Sequence, residues 1–257
     1  VGAFAICPQL EAFSQDMRLT PLLEKTAPAV GTLWHAGAAY RYGALLPERP
    51  NWLVYPTPRD AVWTLGMGMG RQDLAEEALR LWDAYEQHYQ FNAWRPVLVE
   101  HQFEVEMEGE PYTARIDLLA YDQVGALCLI DHKTRGRLPS DAAVQTEFQA
   151  DRQMLTGVAL ARHAGYPVQR LVINVITREN PFPRFKRVDV ALSQLAYERL
   201  GFDTRYYLKA MRETRTAYPD PTNRPRNLDS CFRKYGVCDF RPLCVDGLHN
   251  LVEYKKR

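Results

Sequence analysis

The sequence contains no apolar run approaching the roughly 20 residues that span a bilayer. Its longest candidates, Leu127–Ile130 and Leu171–Ile176, are only strand-sized, so no membrane partner is expected. The opening segment is not expected to be a signal peptide. The opening VGAFAIC is apolar but short and lacks a basic flank. The first residue is Val1 rather than methionine, as expected of a processed or trimmed chain. Cysteine is sparse and odd in number, five in all, which fits poorly with a fully paired disulfide scaffold. There is no G-x-x-x-x-G-K-[ST] run, so any ATP-driven unwinding requires a partner protein. Internal repeats and low-complexity tracts are absent as well. Net charge is nearly so: 32 Lys+Arg face 31 Asp+Glu, leaving +1. Taken whole, that balance argues against a nucleic-acid partner. What is present is ordinary for a folded protein, with 257 residues, 46% hydrophobic and 25% charged. Wholesale disorder is excluded, and a sizeable core can be buried.

The near-neutral total hides an asymmetry. Residues 201–257 hold twelve Lys+Arg and seven Asp+Glu, or +5, so the first 200 residues carry −4. The basic tail is interleaved with Tyr206, Tyr207, Phe232, Tyr235 and Phe240. Such a segment can attract phosphates and stack unpaired bases. Charge alone equally describes a solvated helix face above core aromatics.

Periodicity predicts the elements. Residues 9–42 carry helical apolar spacing divided by Pro21 and Pro28, and residues 45–60 read as loop. A clear amphipathic helix is expected over 72–90. Residues 97–108, 112–122 and 126–133 read as successive strands, with turns at Glu108–Pro111 and Asp122–Gly125. Asp141–Ala164 reads as one helix, and Val168–Thr177 and Phe185–Val190 as two more strands. Residues 191–217 read as a helix bent near Gly201, and residues 218–230 as loop. Three neighbouring strands, a crossover helix and a further strand indicate an α/β core with a mixed sheet.

Within that core, RIDLLAYDQVGALCLIDHKT holds an acid in one strand, Asp117, and Asp131 with Lys133 at the end of the next. Period-two geometry puts Asp131 and Lys133 on one face, and a hairpin brings Asp117 beside them. Adjacent carboxylates in apolar surroundings need a cation, and oxygen ligands favour Mg²⁺ or Mn²⁺. A lysine there can stabilise phosphate charge or help activate water. By itself, D-x-K also describes a strand-end salt bridge. Glu100 is a further acid that reads either as site-adjacent or as an exposed strand residue. Cys231, Cys238 and Cys244 follow a C-x6-C-x5-C spacing, suited to zinc or an iron–sulfur cluster given a fourth ligand. Cys7, followed by Pro8, is the obvious fourth. Cys128 reads as a buried core residue.

The ordered set resembles the PD-(D/E)XK nuclease superfamily, specifically RecB-like exonucleases and their CRISPR-associated relatives. GTLWH (Gly31–His35) resembles the upstream histidine motif. The segment ending in RID resembles the first core hairpin, and IDHKT supplies the second acid and the lysine. DRQMLTG resembles the glutamine motif Q-x-x-x-Y, with Gln153 in place and Gly157 where tyrosine is usual.

The resemblance implies a restriction-endonuclease-like mixed sheet flanked by helices, with the core at about 95–190. One nuclease domain would cover residues 1–257, its helical N- and C-terminal additions joined by a metal cluster. It implies Mg²⁺ or Mn²⁺ held by His35, Asp117, Asp131 and the backbone carbonyl of His132. Lys133 would orient or activate water, and Gln153 would hold the lysine, a water or the substrate. The His132 side chain itself would be packed away from the site. A 4Fe–4S cluster on Cys7, Cys231, Cys238 and Cys244 is the layout of the AddB type, with structural Zn²⁺ as its rival.

If that cluster forms, Arg224, Arg226, Arg233, Lys234 and Arg241 crowd one edge and can line a path for DNA. The implied activity is metal-dependent exonucleolytic hydrolysis of single-stranded DNA or DNA ends, in the cytoplasm. A helicase, recombination or CRISPR protein is an expected partner. The alternatives are a catalytically silent DNA-binding subunit and a site-specific or structure-specific endonuclease.

Overall fold

The computed structural model describes residues 3, 6–22, 26–89, 94–233 and 236–256. They form two compact units, one of residues 25–106 and 111–198, the other of 1–24, 107–110 and 199–257.

The first unit is built on a five-stranded mixed sheet. Its strands are β2 (Arg95–Met107), β3 (Glu110–Tyr121), β4 (Leu127–Arg135), β5 (Arg170–Thr177) and β6 (Phe185–Val190), arranged in that order. β4 runs antiparallel to β3 and parallel to β5, while β6 is antiparallel to β5. The interior strand β5 is apolar over most of its length, and β4 opens on the apolar run Leu127–Ile130, as burial on both faces requires. The β3–β4 turn is shaped by Asp122, whose Oδ1 accepts the N–H groups of Val124 at 3.0 Å and Ala126 at 2.8 Å.

Three helices cover one face: α2 (Thr26–Gly43), α3 (Pro58–Gly68) and α4 (Gln72–His88). α4 buries Leu74, Ala78, Leu81, Trp82 and Tyr85, the three-and-four spacing of one helical face. With Val30, Leu33 and Trp34 of α2 they pack on Leu118, Ile130 and Val172 of the sheet. α3 falls partly in the stretch expected to be loop. It starts from a reciprocal cap, in which Thr57 Oγ1 accepts the Asp60 N–H and Asp60 Oδ2 accepts the Thr57 N–H, both at 3.1 Å. Gly66 lets α3 press on α4, since a Cβ there would sit 2.5 Å from that of Ala75.

The single helix expected over 141–164 is two, α5 (Asp141–Phe148) and α6 (Arg152–His163). Asp151 accounts for the break by capping the Met154 N–H at 3.1 Å, a β-region backbone that a continuous helix cannot hold. α6 packs close on the other sheet face. A Cβ on Gly157 would lie 3.4 Å from both Ile116 and Leu129.

In the second unit, α1 (Pro8–Glu11) and a π-helical turn at Ala12–Asp16 lead to β1 (Leu19–Pro21), which pairs with β9 (Tyr254–Lys256). Residues 199–217 belong to α7 (Gln194–Ala217), an unbroken helix through Gly201. α8 (Arg241–Val245) contributes Leu243 to a small core with Phe13, Leu19 and Phe240. The terminal additions are therefore strand-paired as well as helical. Two arginines close the unit. Arg224 reaches Glu11 at 2.5 Å and also Asp16, while Arg215 reaches Glu11 at 2.5 Å and Asp16 at 3.2 Å.

Candidate metal centre

The site forms in the first unit, where the β3–β4 ladder ends. The strand register runs to Leu118 opposite Ile130. One residue on, Asp117 turns its carboxylate to the His132 backbone N–H, which donates to Oδ2 at 2.8 Å. From α2, His35 brings Nδ1 to 3.5 Å from the same oxygen, and its ring also hydrogen-bonds the His132 backbone. From β2 comes Glu100, at a φ of +48°. For a residue with a side chain that left-handed backbone costs on the order of 1–3 kcal/mol, and such strain clusters at functional sites.

His35, Glu100 and Asp117 each offer one ligand atom, and these atoms lie within 4.8 Å of one another. Nitrogen and carboxylate donors at such spacing can hold a divalent cation. The sequence puts Asp131 among the expected ligands and Glu100 only beside them. Asp131 lies next to the triad, its Oδ2 paired with Lys133 Nζ at 2.7 Å.

The acids of the site are crowded and buried, and their protonation shows it. Burial, then the charge of Asp117, pushes the Glu100 carboxyl up to about 7. Burial and Asp117 likewise push Asp131 up to about 6. Asp117 is itself raised by burial, against the His132 N–H and Lys133, which favour its charged form. His35 is lowered, mainly by burial, so it presents a neutral imidazole suited to a metal. Burial works against the charge on Lys133, but Asp131 and Asp117 outweigh it and hold the ammonium above its ordinary value. Lys133 is thus a cation rather than a proton acceptor. One guanidinium offsets the acids from outside, with Arg115 Nε 2.9 Å from Glu100 Oε2.

The His132 side chain points away. It is buried against Trp34 and Tyr42, and its Nδ1 lies 2.9 Å from the Asn174 amide nitrogen. Burial lowers its pKa well below the ordinary value. Gln153 is exposed on the first turn of α6, next to the Asp151 cap. Asp151, which sequence reasoning did not single out, is close enough to help hold Lys133 charged.

In the second unit, Cys231 and Cys238 flank the hairpin of β7 (Phe232–Arg233) and β8 (Gly236–Val237), joined by a Cys238 N–H to Cys231 carbonyl bond of 2.7 Å. Cys7 Sγ accepts the Asn227 N–H at 3.3 Å. Burial raises the Cys244 thiol to about 11, and Cys7, Cys238 and Cys231 add to the rise as neighbours. Among the described residues, no three cysteine sulfurs approach one another as closely as the triad's ligand atoms do.

Of the arginines expected on a DNA path, Arg224 is a correction. It is 4% exposed and bound by Glu11 and Asp16, so its guanidinium is spent inside the fold. Arg226 is exposed and donates to the Cys244 carbonyl at 2.6 Å. Arg241 is half-buried at the start of α8. Lys234 and the Arg233 side chain lie outside the described residues.

The fold is similar to the crystal structure of a Eubacterium rectale protein described as a "putative exonuclease". The TM-score is 0.55 at 11% identity, covering 80% of this chain and 75% of that one. At that identity the likeness concerns fold alone. A crystal structure of SSO0001 aligns at a TM-score of 0.30 and 14% identity over 77% of this chain and 84% of that one, too slight to bear on the fold. No protein-family model and no curated protein matches the chain. No helix among the described residues is long and apolar enough to cross a membrane.

Proposed function

We propose that this protein is a Mg²⁺- or Mn²⁺-dependent nuclease that hydrolyses DNA phosphodiester bonds, working as an exonuclease on single strands or ends. The observation that carries this reading is the convergence of His35, Glu100 and Asp117 beside the Asp131–Lys133 pair. The fold shared with a protein described as a "putative exonuclease" agrees with it.

In this reading His35, Glu100, Asp117, Asp131 and the His132 carbonyl hold the cation. When bound, the ion supplies Lewis-acid stabilisation of phosphate charge and lowers the pKa of a water. Asp131 fixes the Lys133 ammonium, which orients that water or a phosphate oxygen by charge. Gln153 reaches the substrate from the first turn of α6. The His132 side chain serves only to fix the backbone that carries the carbonyl.

Residues 1–257 act as one RecB-like nuclease domain. Cys7, Cys231, Cys238 and Cys244 hold a 4Fe–4S cluster, with structural zinc as the rival. Arg226, Arg233, Lys234 and Arg241 guide DNA, and a helicase, recombination or CRISPR protein supplies it.

The test is degradation of an end-labelled single strand with Mn²⁺, compared with Asp131→Asn and Lys133→Met. Removing one such electrostatic group is expected to cost roughly 10²–10³-fold in rate. A circular strand resists if the enzyme needs an end. Asp131→Asn protein with wild-type activity sinks the assignment.

A further inference from the structure

A cavity of about 790 Å³ opens directly off the metal-ligand triad, with His35 and Glu100 in its wall. That size falls within the range of about 300–1,000 Å³ typical of small-ligand sites. Gly31, Thr32, Ala36 and Ala39 of α2 line one side of it. Tyr40, Trp52 and Arg115 also line it. Tyr40 follows His35 by five residues, about 7.5 Å along the helix axis, the reach of roughly one extended nucleotide.

Trp52 is 37% exposed, an unfavourable state for so large an apolar ring, yet it is held firmly. The Tyr40 hydroxyl donates to the Trp52 carbonyl at 2.8 Å and accepts the Val54 N–H at 3.0 Å. The two rings meet edge to face, centroids 5.8 Å apart. Another edge lies over Gly43, where a Cβ would come within 2.8 Å of Trp52 Cη2. A fixed, half-bare indole in a cavity beside a cation site is a stacking platform without its partner.

We propose that this cavity receives an unpaired base next to the phosphate being cut, stacked on Trp52. The inference rests on the nuclease reading and names the contact that holds its unpaired strand. A base inside a duplex must leave its stack and its pairing partner to reach Trp52, so the pocket favours single strands and frayed ends. Stacking tolerates every base, so the pocket selects unpaired strand rather than sequence.

The experiment is steady-state cleavage of a single-stranded oligonucleotide with Mn²⁺ by wild type, Trp52→Phe and Trp52→Ala. It is repeated on a set in which one base at a time is removed to leave an abasic sugar. For wild type, one abasic position is expected to raise KM roughly 5- to 100-fold, the loss of one stacked base. For Trp52→Ala, KM rises by a similar factor on the intact strand, and removing that base has no further effect. Trp52→Phe keeps most of the wild-type KM, which separates stacking from misfolding. Equal responses of wild type and Trp52→Ala to every abasic position overturn the inference while leaving the nuclease reading intact. Failure of wild type to cut any strand overturns the nuclease reading, and the inference with it.

Discussion

Glu100 and Asp117, from adjacent strands, bring carboxylate oxygens within 4.8 Å of each other in a half-buried site. Two like charges so placed oppose one another, and the charge of Asp117 adds to burial in making Glu100 hold its proton more tightly.

The first prediction concerns pH. Glu100 titrates at about 7 against an ordinary 4.5, and Asp131 at about 6 against 3.8. Both are raised, so between the ordinary and raised values the folded protein holds protons that the unfolded chain has released. Stability therefore falls as pH rises through that window. Metal-free protein in EDTA should show a Tm that declines between about pH 4 and pH 7. Glu100→Gln should make the decline shallower, and saturating Mn²⁺ should raise Tm most at its upper end. A wild-type Tm no more pH-dependent than that of Glu100→Gln would contradict the arrangement.

Gly157 yields a prediction about packing. Its position on Ile116 and Leu129 admits a methyl group at ordinary contact distance but no ring. Gly157→Ala should stabilise α6 by about 0.5–1 kcal/mol. Gly157→Tyr, restoring the residue usual in the resembling motif, should destabilise by roughly 1–3 kcal/mol through overpacking. Urea denaturation of both variants decides the matter. A stable Gly157→Tyr protein would mean that the helix can lift from the sheet.

Arg224 separates structural from DNA-facing charge. Arg224→Met strands the buried Glu11, and stability should drop by about 3 kcal/mol, the low end for a broken buried pair because Arg215 remains. The folded variant should bind single-stranded DNA with the wild-type salt slope. Arg241→Glu should keep its stability and flatten that slope by about one. Reversed outcomes would exchange the two roles.

The cysteines make a colour prediction. Anaerobically purified protein should be brown and carry iron, and Cys7→Ser or Cys244→Ser should lose both. Cys128→Ala, altering a thiol buried in the sheet core, should keep them. Colourless wild type containing zinc would replace the cluster with its rival.

Much of this was legible in advance. The five strands were readable because β4 opens on the apolar run Leu127–Ile130, β5 is mostly apolar, and the turns carry Asp122, Gly109 and Gly125. Asp117, Asp131 and Lys133 stood out through period-two spacing across one hairpin. Glu100 did not, because its approach depends on a left-handed backbone at one strand residue, which no side-chain pattern encodes. The split between α5 and α6 turns on a single capping aspartate within an otherwise helical run. Arg224 was misjudged because a basic residue in a basic tail looks solvent-facing until its acidic partners, more than 200 positions upstream, are brought beside it.

The small core of Phe13, Leu19, Phe240 and Leu243 joins opposite ends of the chain. During synthesis Phe13 and Leu19 are made more than 200 residues before Phe240 and Leu243, so this core closes only after the sheet of residues 25–198 has been made. Until then Phe13 and Leu19 lack the apolar partners that bury them, which leaves that segment open to a chaperone.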